Sequence, residues 1–248
     1  MDSAQTASAF GELCSANVEF GDDLVRNIKT IRPSQQLFDD LSDDADDWAI
    51  AIAAEAEGRI PTATAVIARP FDYGTVITYS FDAANWQETR FSDGRRYGVW
   101  YGSLNAKTTV YETAFHWYRF LADSYPSEDR LITGERRLFD VRCEGLLVDL
   151  RGREGSYPGL TDRTSYAFTQ SLGSFLVDQG ANGVLVKSAR CEGVNAAIFR
   201  RERLSNVRDK MALTYRCNPA RDLCMVERSQ GTVWLRIKPS LLGPGVRS

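Results

Sequence analysis

The pattern of apolar and polar positions changes character near residue 61. Before it, apolar residues recur at helical spacing and alanine is frequent. Ser34 can cap a helix through QQLFDDL, and a second helix follows through DDWAIAIAAEAEG with Gly58 as its stop. The aspartates between 39 and 47 suit the N-terminal end of that second helix. Residues 1–60 are therefore expected to form a helical N-terminal extension, and residues 61–248 the main domain. The acidic face of the extension reads either as a solvated surface or as one that docks a basic partner or caps the main domain.

After Pro61, short runs of period two take over. TATAVIARPF leads to the Arg69–Pro70 step, which disfavours helix at Arg69. Residues 73–81, YGTVITYSF, fit a strand or an irregular segment. GVWYGSL at 98–104 predicts a strand, and a helix starting at Thr108 or Thr109 follows through ETAFHWYRFLAD. RLFDVRCEGLLVDLR reads as two short strands broken near Glu144–Gly145, and REGSYPGLTD as a loop. SYAFTQSLGSFLVDQ predicts a helix ending near Gly180. NGVLVKS and NAAIFR are strands, and DLCMVERS with GTVWLRI forms a hairpin around Gln230–Gly231. Strands outnumber helices without a regular βαβα count, so the fold class is α+β, a mixed sheet domain.

Composition narrows the function classes. The 248 residues, 43% hydrophobic, suffice for one sizeable core. No stretch of eighteen apolar residues and no basic leader followed by an apolar core is present, so no membrane span or signal peptide is expected. Five cysteines without a CxxC pair fit a reducing, cytoplasmic setting. The net charge of −3 conceals an asymmetry. Residues 1–70 carry 13 acidic and 5 basic side chains, whereas residues 71–248 carry 20 and 25. Only 5 of the 30 basic residues are lysines. An arginine-biased body without a dense cationic stripe argues for small phosphorylated ligands or internal ion pairs over nucleic acid.

Common catalytic patterns are absent. His116 is the only histidine, so no HExxH site exists, and no His/Cys/Asp cluster has metal-ligand spacing. Walker A, GxGxxG and GxSxG sequences are missing. His116, between Phe115 and Trp117, reads first as a structural histidine. The run RFSDGRRYGVWYGSLNAKTTVYETAFH stands out instead. It spaces Arg90, Tyr101 and Glu112 eleven residues apart, twice. Arginine suits phosphate oxygens, and a carboxylate suits developing positive charge. Glu112 also has a local use, because Thr109 and Glu112 have capping-box spacing. In VLVKSARCEGVNAAIF, Ser188, Arg190 and Asn195 crowd one turn between two strands. They serve either a ligand or the turn itself.

These blocks carry a resemblance. Arg69, RFSDGRRYGVWY, TTVYETAFH, SLG at 171–173, NGVLVKSAR and GVNAAIF occur in the order and contexts of a RES-domain protein, over roughly residues 65–200. One departure is Gly193–Val194 where the family has a glycine pair. The long acidic N-terminal region is another.

The resemblance implies a compact fold similar to ADP-ribosyltransferases and a toxin of a toxin–antitoxin pair. Such a toxin acts on NAD+ at the nicotinamide–ribose bond, by phosphorolysis or hydrolysis. NAD+ is then a consumed substrate rather than a cofactor, inorganic phosphate is a co-substrate of the phosphorolytic version, and no metal is implied. The partner implied is an Xre-like antitoxin protein, and a homo-oligomer is compatible with the sequence. By the same resemblance Glu112 is the catalytic carboxylate. Arg69 and Arg90 bind pyrophosphate or the attacking phosphate. Tyr101 stacks on nicotinamide or bonds the adjacent ribose, Ser188 positions that end, and Asn195 is a weaker candidate that touches substrate or supports a residue that does. Arg190, read from its place in the turn, is a substrate-binding candidate that holds a phosphate or else pairs with a buried carboxylate. Protein ADP-ribosylation and a catalytically silent interaction domain are the competing readings.

Overall fold

The computed structural model describes residues 3–29, 74–125 and 129–243. Eight strands run in the order β1 (Asn17–Lys29), β2 (Trp100–Ser103), β3 (Ile132–Asp149), β4 (Gly183–Lys187), β5 (Val194–Ile198), β6 (Leu204–Asn218), β7 (Leu223–Ser229) and β8 (Thr232–Ile237). The helices are α1 (Ser3–Leu13), the single turn α2 (Thr75–Thr78), α3 (Ala106–Ser124) and α4 (Ala167–Asp178). The sheet order is β1-β2-β5-β4-β3-β6-β7-β8, and β1 also pairs with β3. The pairings β1–β2–β5–β4–β3–β1 thus close a circuit of five strands, and β6, β7 and β8 extend from it. Among the described strands only β3–β4 pair in parallel. The mixed α+β class expected from the pattern is the class observed.

Three apolar layers hold this frame. The inside of the strand circuit packs Leu24, Trp100, Phe139, Leu147, Leu185 and Ile198. Trp100, fully buried, donates its indole N–H to the Val76 carbonyl at 2.9 Å and so fastens α2 to the sheet. The opposite face of β4 and β5 presents Val184, Val186 and Ala197 to α1 and α4. Both faces of β4 are covered, which explains its unbroken apolar run. Each such side chain contributes about 1.5–3 kcal/mol on burial. The third layer lies under α3, whose Val110, Ala114, Phe115 and Leu121 pack on Leu213, Tyr215 and Val226 of β6 and β7.

Several expectations are corrected. Residues 17–29 are not part of a helical extension. They form β1, paired with β3 along its whole length from Asn17↔Val148 to Lys29↔Arg136. Polar residues such as Asp22 and Asp23 weaken its local strand signal, and cross-strand pairing overrides propensity. The boundary drawn at 60/61 therefore fails at β1, while the helices expected over 34–58 lie outside the described residues. β3 is one strand rather than two, with Gly145 paired to Phe20 inside it. Residues 75–85 are helical turns rather than a strand. β6 also had no clear local pattern.

Candidate active site

A cleft of about 450 Å³ opens beside α3, β1, β2 and β5, lined by Arg26, Arg90, Tyr101, Glu112, His116, Arg136 and Asn195 among others. α3 brings Glu112 into it. The helix is capped by Asn105, whose Oδ1 accepts from the Thr108 backbone N–H at 2.9 Å and from its hydroxyl at 3.0 Å. The Thr109–Glu112 capping box is therefore not used, because the helix starts at Ala106, two or three residues earlier than the sequence suggested. Glu112 is free of its own helix terminus.

Its carboxylate is held from the β4–β5 hairpin instead. Glu112 Oε1 accepts from the Ser188 hydroxyl at 2.6 Å and from Asn195 Nδ2 at 2.7 Å. Asn195 is itself oriented, since its Oδ1 accepts from the Ser103 hydroxyl at 2.7 Å. Hydrogen bonds to an ionised acceptor are about twice as strong as neutral ones, so two of them fix the group's direction. Gly193 makes the approach possible. A Cβ there would stand 2.0 Å from Thr108 Oγ1. Only a residue without Cβ lets the hairpin loop rest on the first turn of α3.

Ser188 is almost fully buried and does not line the cleft. Its oxygen also accepts the backbone N–H of Arg190 at 3.0 Å and of Cys191 at 3.2 Å. It is thus a positioning residue for Glu112. Ser188→Ala is expected to lower kcat about tenfold while KM for substrate stays nearly unchanged, since it removes a charged hydrogen bond without touching the bound molecule. Melting temperature falls as well, because two backbone donors lose their acceptor. Steady-state kinetics together with a thermal melt check both effects.

Arg90 stands on the loop before β2. Its guanidinium donates to the carbonyls of Leu160 at 3.3 Å and Asp162 at 2.9 Å, and lies 4.7 Å from the Tyr166 ring centre. Two of its five N–H groups are used by the protein, leaving the others for a ligand. Tyr101 accepts from the Phe91 N–H and donates to Thr89 Oγ1, both at 3.0 Å. Desolvation pushes its phenol up to about 12, against the opposing Thr89 hydrogen bond. Its hydroxyl is thus committed to holding the Arg90 loop, and only its ring faces the cleft.

Arg190 departs from the substrate-binding role expected of it. It is 3% exposed, donates to the carbonyls of Leu242 at 3.0 Å and Arg163 at 3.3 Å, and stacks 3.5 Å from the Phe115 ring centre. It ties the chain's last described turn to the hairpin loop. Arg69 lies outside the described residues.

Two cleft arginines escaped sequence reasoning. Arg26 of β1 donates to the Tyr101 carbonyl at 2.6 Å and to Ser80 Oγ at 3.0 Å, and packs 5.3 Å from the Trp100 ring centre. Burial lowers its pKa to about 10. Arg136 of β3 enters from the neighbouring strand. The signal for both was arginine in an alternating strand, masked by the helical reading of residues 1–60 and by an expected strand that began only at Arg137. His116, one turn beyond Glu112, also lines the cleft. Burial holds its imidazole below the usual value, although Glu112 pulls the other way. Among the described residues no three His, Cys, Asp or Glu side chains gather as a metal site requires, and no helix is long and apolar enough to cross a membrane.

The model of the RES domain matches residues 58–218. No curated protein matches the chain. Among solved structures, a chain of the M. tuberculosis MbcT–MbcA toxin–antitoxin complex aligns over 87% of this chain and 92% of its own, at 13% identity and a TM-score of 0.42. Likeness of that degree adds nothing to the family match. The match spans well over half of the chain and includes Arg90, Tyr101, Glu112, Ser188 and Asn195, so the chain belongs to the RES-domain family.

Proposed function

We propose that this protein degrades NAD+ at the nicotinamide–ribose bond, with inorganic phosphate or water as acceptor, and that it acts as a toxin restrained by an Xre-like antitoxin. The observation that carries the reading is Glu112. Its carboxylate borders the cleft with Oε1 fixed by Ser188 and Asn195, and Oε2 has no hydrogen bond to another described residue. When the C–N bond to nicotinamide breaks, its electron pair passes to the ring nitrogen and positive charge develops on the ribose. An oriented carboxylate stabilises that charge, or holds the 2′-hydroxyl, without reorganising. Arg90 supplies remaining N–H groups to pyrophosphate, which gives the scissile bond one orientation. Membership of the RES family supports both the substrate and the antitoxin partner.

Purified protein incubated with NAD+, with and without inorganic phosphate, tests this by product mass. Phosphorolysis yields nicotinamide and ADP-ribose 1″-phosphate, and hydrolysis yields ADP-ribose. Label from NAD+ retained on a macromolecule would move the assignment to protein ADP-ribosylation. Unchanged NAD+ under both conditions would sink the enzymatic reading.

A further inference from the structure

We propose that Arg136, with Lys29 opposite it, forms a second phosphate-binding subsite on the β1–β3 wall of this cleft, apart from Arg90 on the loop before β2. The proposal rests on the NAD+ reading for its phosphate source. Three observations carry it.

First, Arg136 lines the cleft with a guanidinium that makes no hydrogen bond or ion pair among the described residues. A half-buried cation without an acceptor is costly, and desolvation lowers its pKa accordingly. Arg26, by contrast, spends both terminal nitrogens on Tyr101 and Ser80.

Second, Lys29 and Arg136 are directly opposed in the β1–β3 ladder. Opposed residues of an antiparallel pair project to one face, and like charges there repel. Nearby cations on this sheet are neutralised: Arg137 pairs with Asp209, and Lys210 with Asp140 at 2.9 Å. Among the described residues, Lys29 and Arg136 have no such carboxylate. An anion held between them removes the repulsion.

Third, Asn27 shares the face of Lys29, two residues along β1, and lines the same cleft. Its Nδ2 donates to the Tyr215 hydroxyl at 2.9 Å, which leaves its buried Oδ1 without a partner. Turning the amide over lets Tyr215 donate to Oδ1 and places Nδ2, a donor, at that same buried position in the cleft wall. The subsite then offers an arginine fork and an ammonium, with the Asn27 amide in the wall behind them, a donor-only set matched to phosphate oxygens. Free phosphate and the pyrophosphate of NAD+ present the same chemistry.

Titration calorimetry on the Glu112→Gln protein separates them, because that variant is designed to hold NAD+ without turnover. The probes are inorganic phosphate, ADP and nicotinamide riboside. Arg136→Met is expected to weaken one phosphate-bearing probe about tenfold or more, the worth of a charged hydrogen bond, and to leave nicotinamide riboside unchanged. Loss confined to inorganic phosphate identifies an acceptor subsite, and loss confined to ADP identifies the pyrophosphate. Lys29→Met, at an exposed position, is expected to weaken the same probe about threefold, as an exposed charge pair does. It carries the test, with Arg136→Lys, if Arg136→Met does not fold. Unchanged affinity for inorganic phosphate and ADP in a folded variant overturns the subsite, as does absence of binding of either by the parent. Phosphate binding that depends on Arg136 in a protein that never consumes NAD+ would instead retain the subsite and discard the proposed reaction.

Discussion

Glu112→Gln is expected to leave the protein folded and to reduce NAD+ consumption by about a hundredfold or more, as loss of one oriented electrostatic group does in comparable sites. Folding survives because the amide oxygen of glutamine can still accept from Ser188 and Asn195, at present 2.6 and 2.7 Å from Glu112 Oε1. Activity does not, because a neutral amide cannot stabilise the positive charge that forms on the ribose in the proposed reaction. Substrate affinity should change far less than turnover, since the charge appears only as the bond breaks. Near-normal turnover in a variant with an unchanged melting temperature would remove Glu112 from the mechanism.

Gly173→Ala should have the largest effect on stability. Alanine in a helix interior gains about 1 kcal/mol over glycine. Here a Cβ would lie 2.1 Å from the Phe91 carbonyl oxygen and 2.9 Å from the Tyr97 hydroxyl. The carbonyl belongs to backbone and cannot rotate aside. Tyr97 donates to that same oxygen at 2.7 Å, so the clash also disrupts a hydrogen bond. Overpacking costs about 1–3 kcal/mol and the lost bond about 1 more, so the clash wins. Melting temperature is expected to fall by about 5 °C. The damage reaches the cleft, because α4 also anchors this loop through Gln170 Nε2 to the Thr89 carbonyl at 3.1 Å, next to Arg90. KM for NAD+ should therefore rise. Gly11→Ala is the control, since nothing lies within 4 Å of a Cβ there. A Gly173→Ala protein as stable as the parent would mean that the α4–loop contact does not constrain the site.

Legibility in the sequence followed locality. Strands β2, β4, β5, β7 and β8 were readable because their apolar residues face layers covered by neighbouring elements, which leaves a short-range pattern. Helices α3 and α4 were readable for the same reason at helical period. β1 and β6 were not. They are long, carry charges such as Asp23 and Arg208 that pair with each other across the sheet, and owe their conformation to ladders with β3. The expected break at Gly145 failed because pairing with Phe20 carries the strand through it.

The site shows the same division. The residue types and their order along the chain named Arg90, Tyr101, Glu112, Ser188 and Asn195, because a family pattern is a property of sequence. Their roles were assigned by packing. Asn105 took the cap that Thr109 was expected to provide, and Glu112 was left for the cleft. Ser188 turned out to hold Glu112, and Tyr101 to hold the Arg90 loop. Arg190 is buried against Phe115. Arg26 and Arg136 entered the cleft from strands whose pairing no local pattern announces. The sequence by itself determined the family and the α+β class, and it put Glu112 forward as the candidate carboxylate. The tertiary structure alone decided which polar groups face the cleft and which are spent on one another, because a hydrogen bond between residues 112 and 188 exists only after strands far apart in the chain have been brought together.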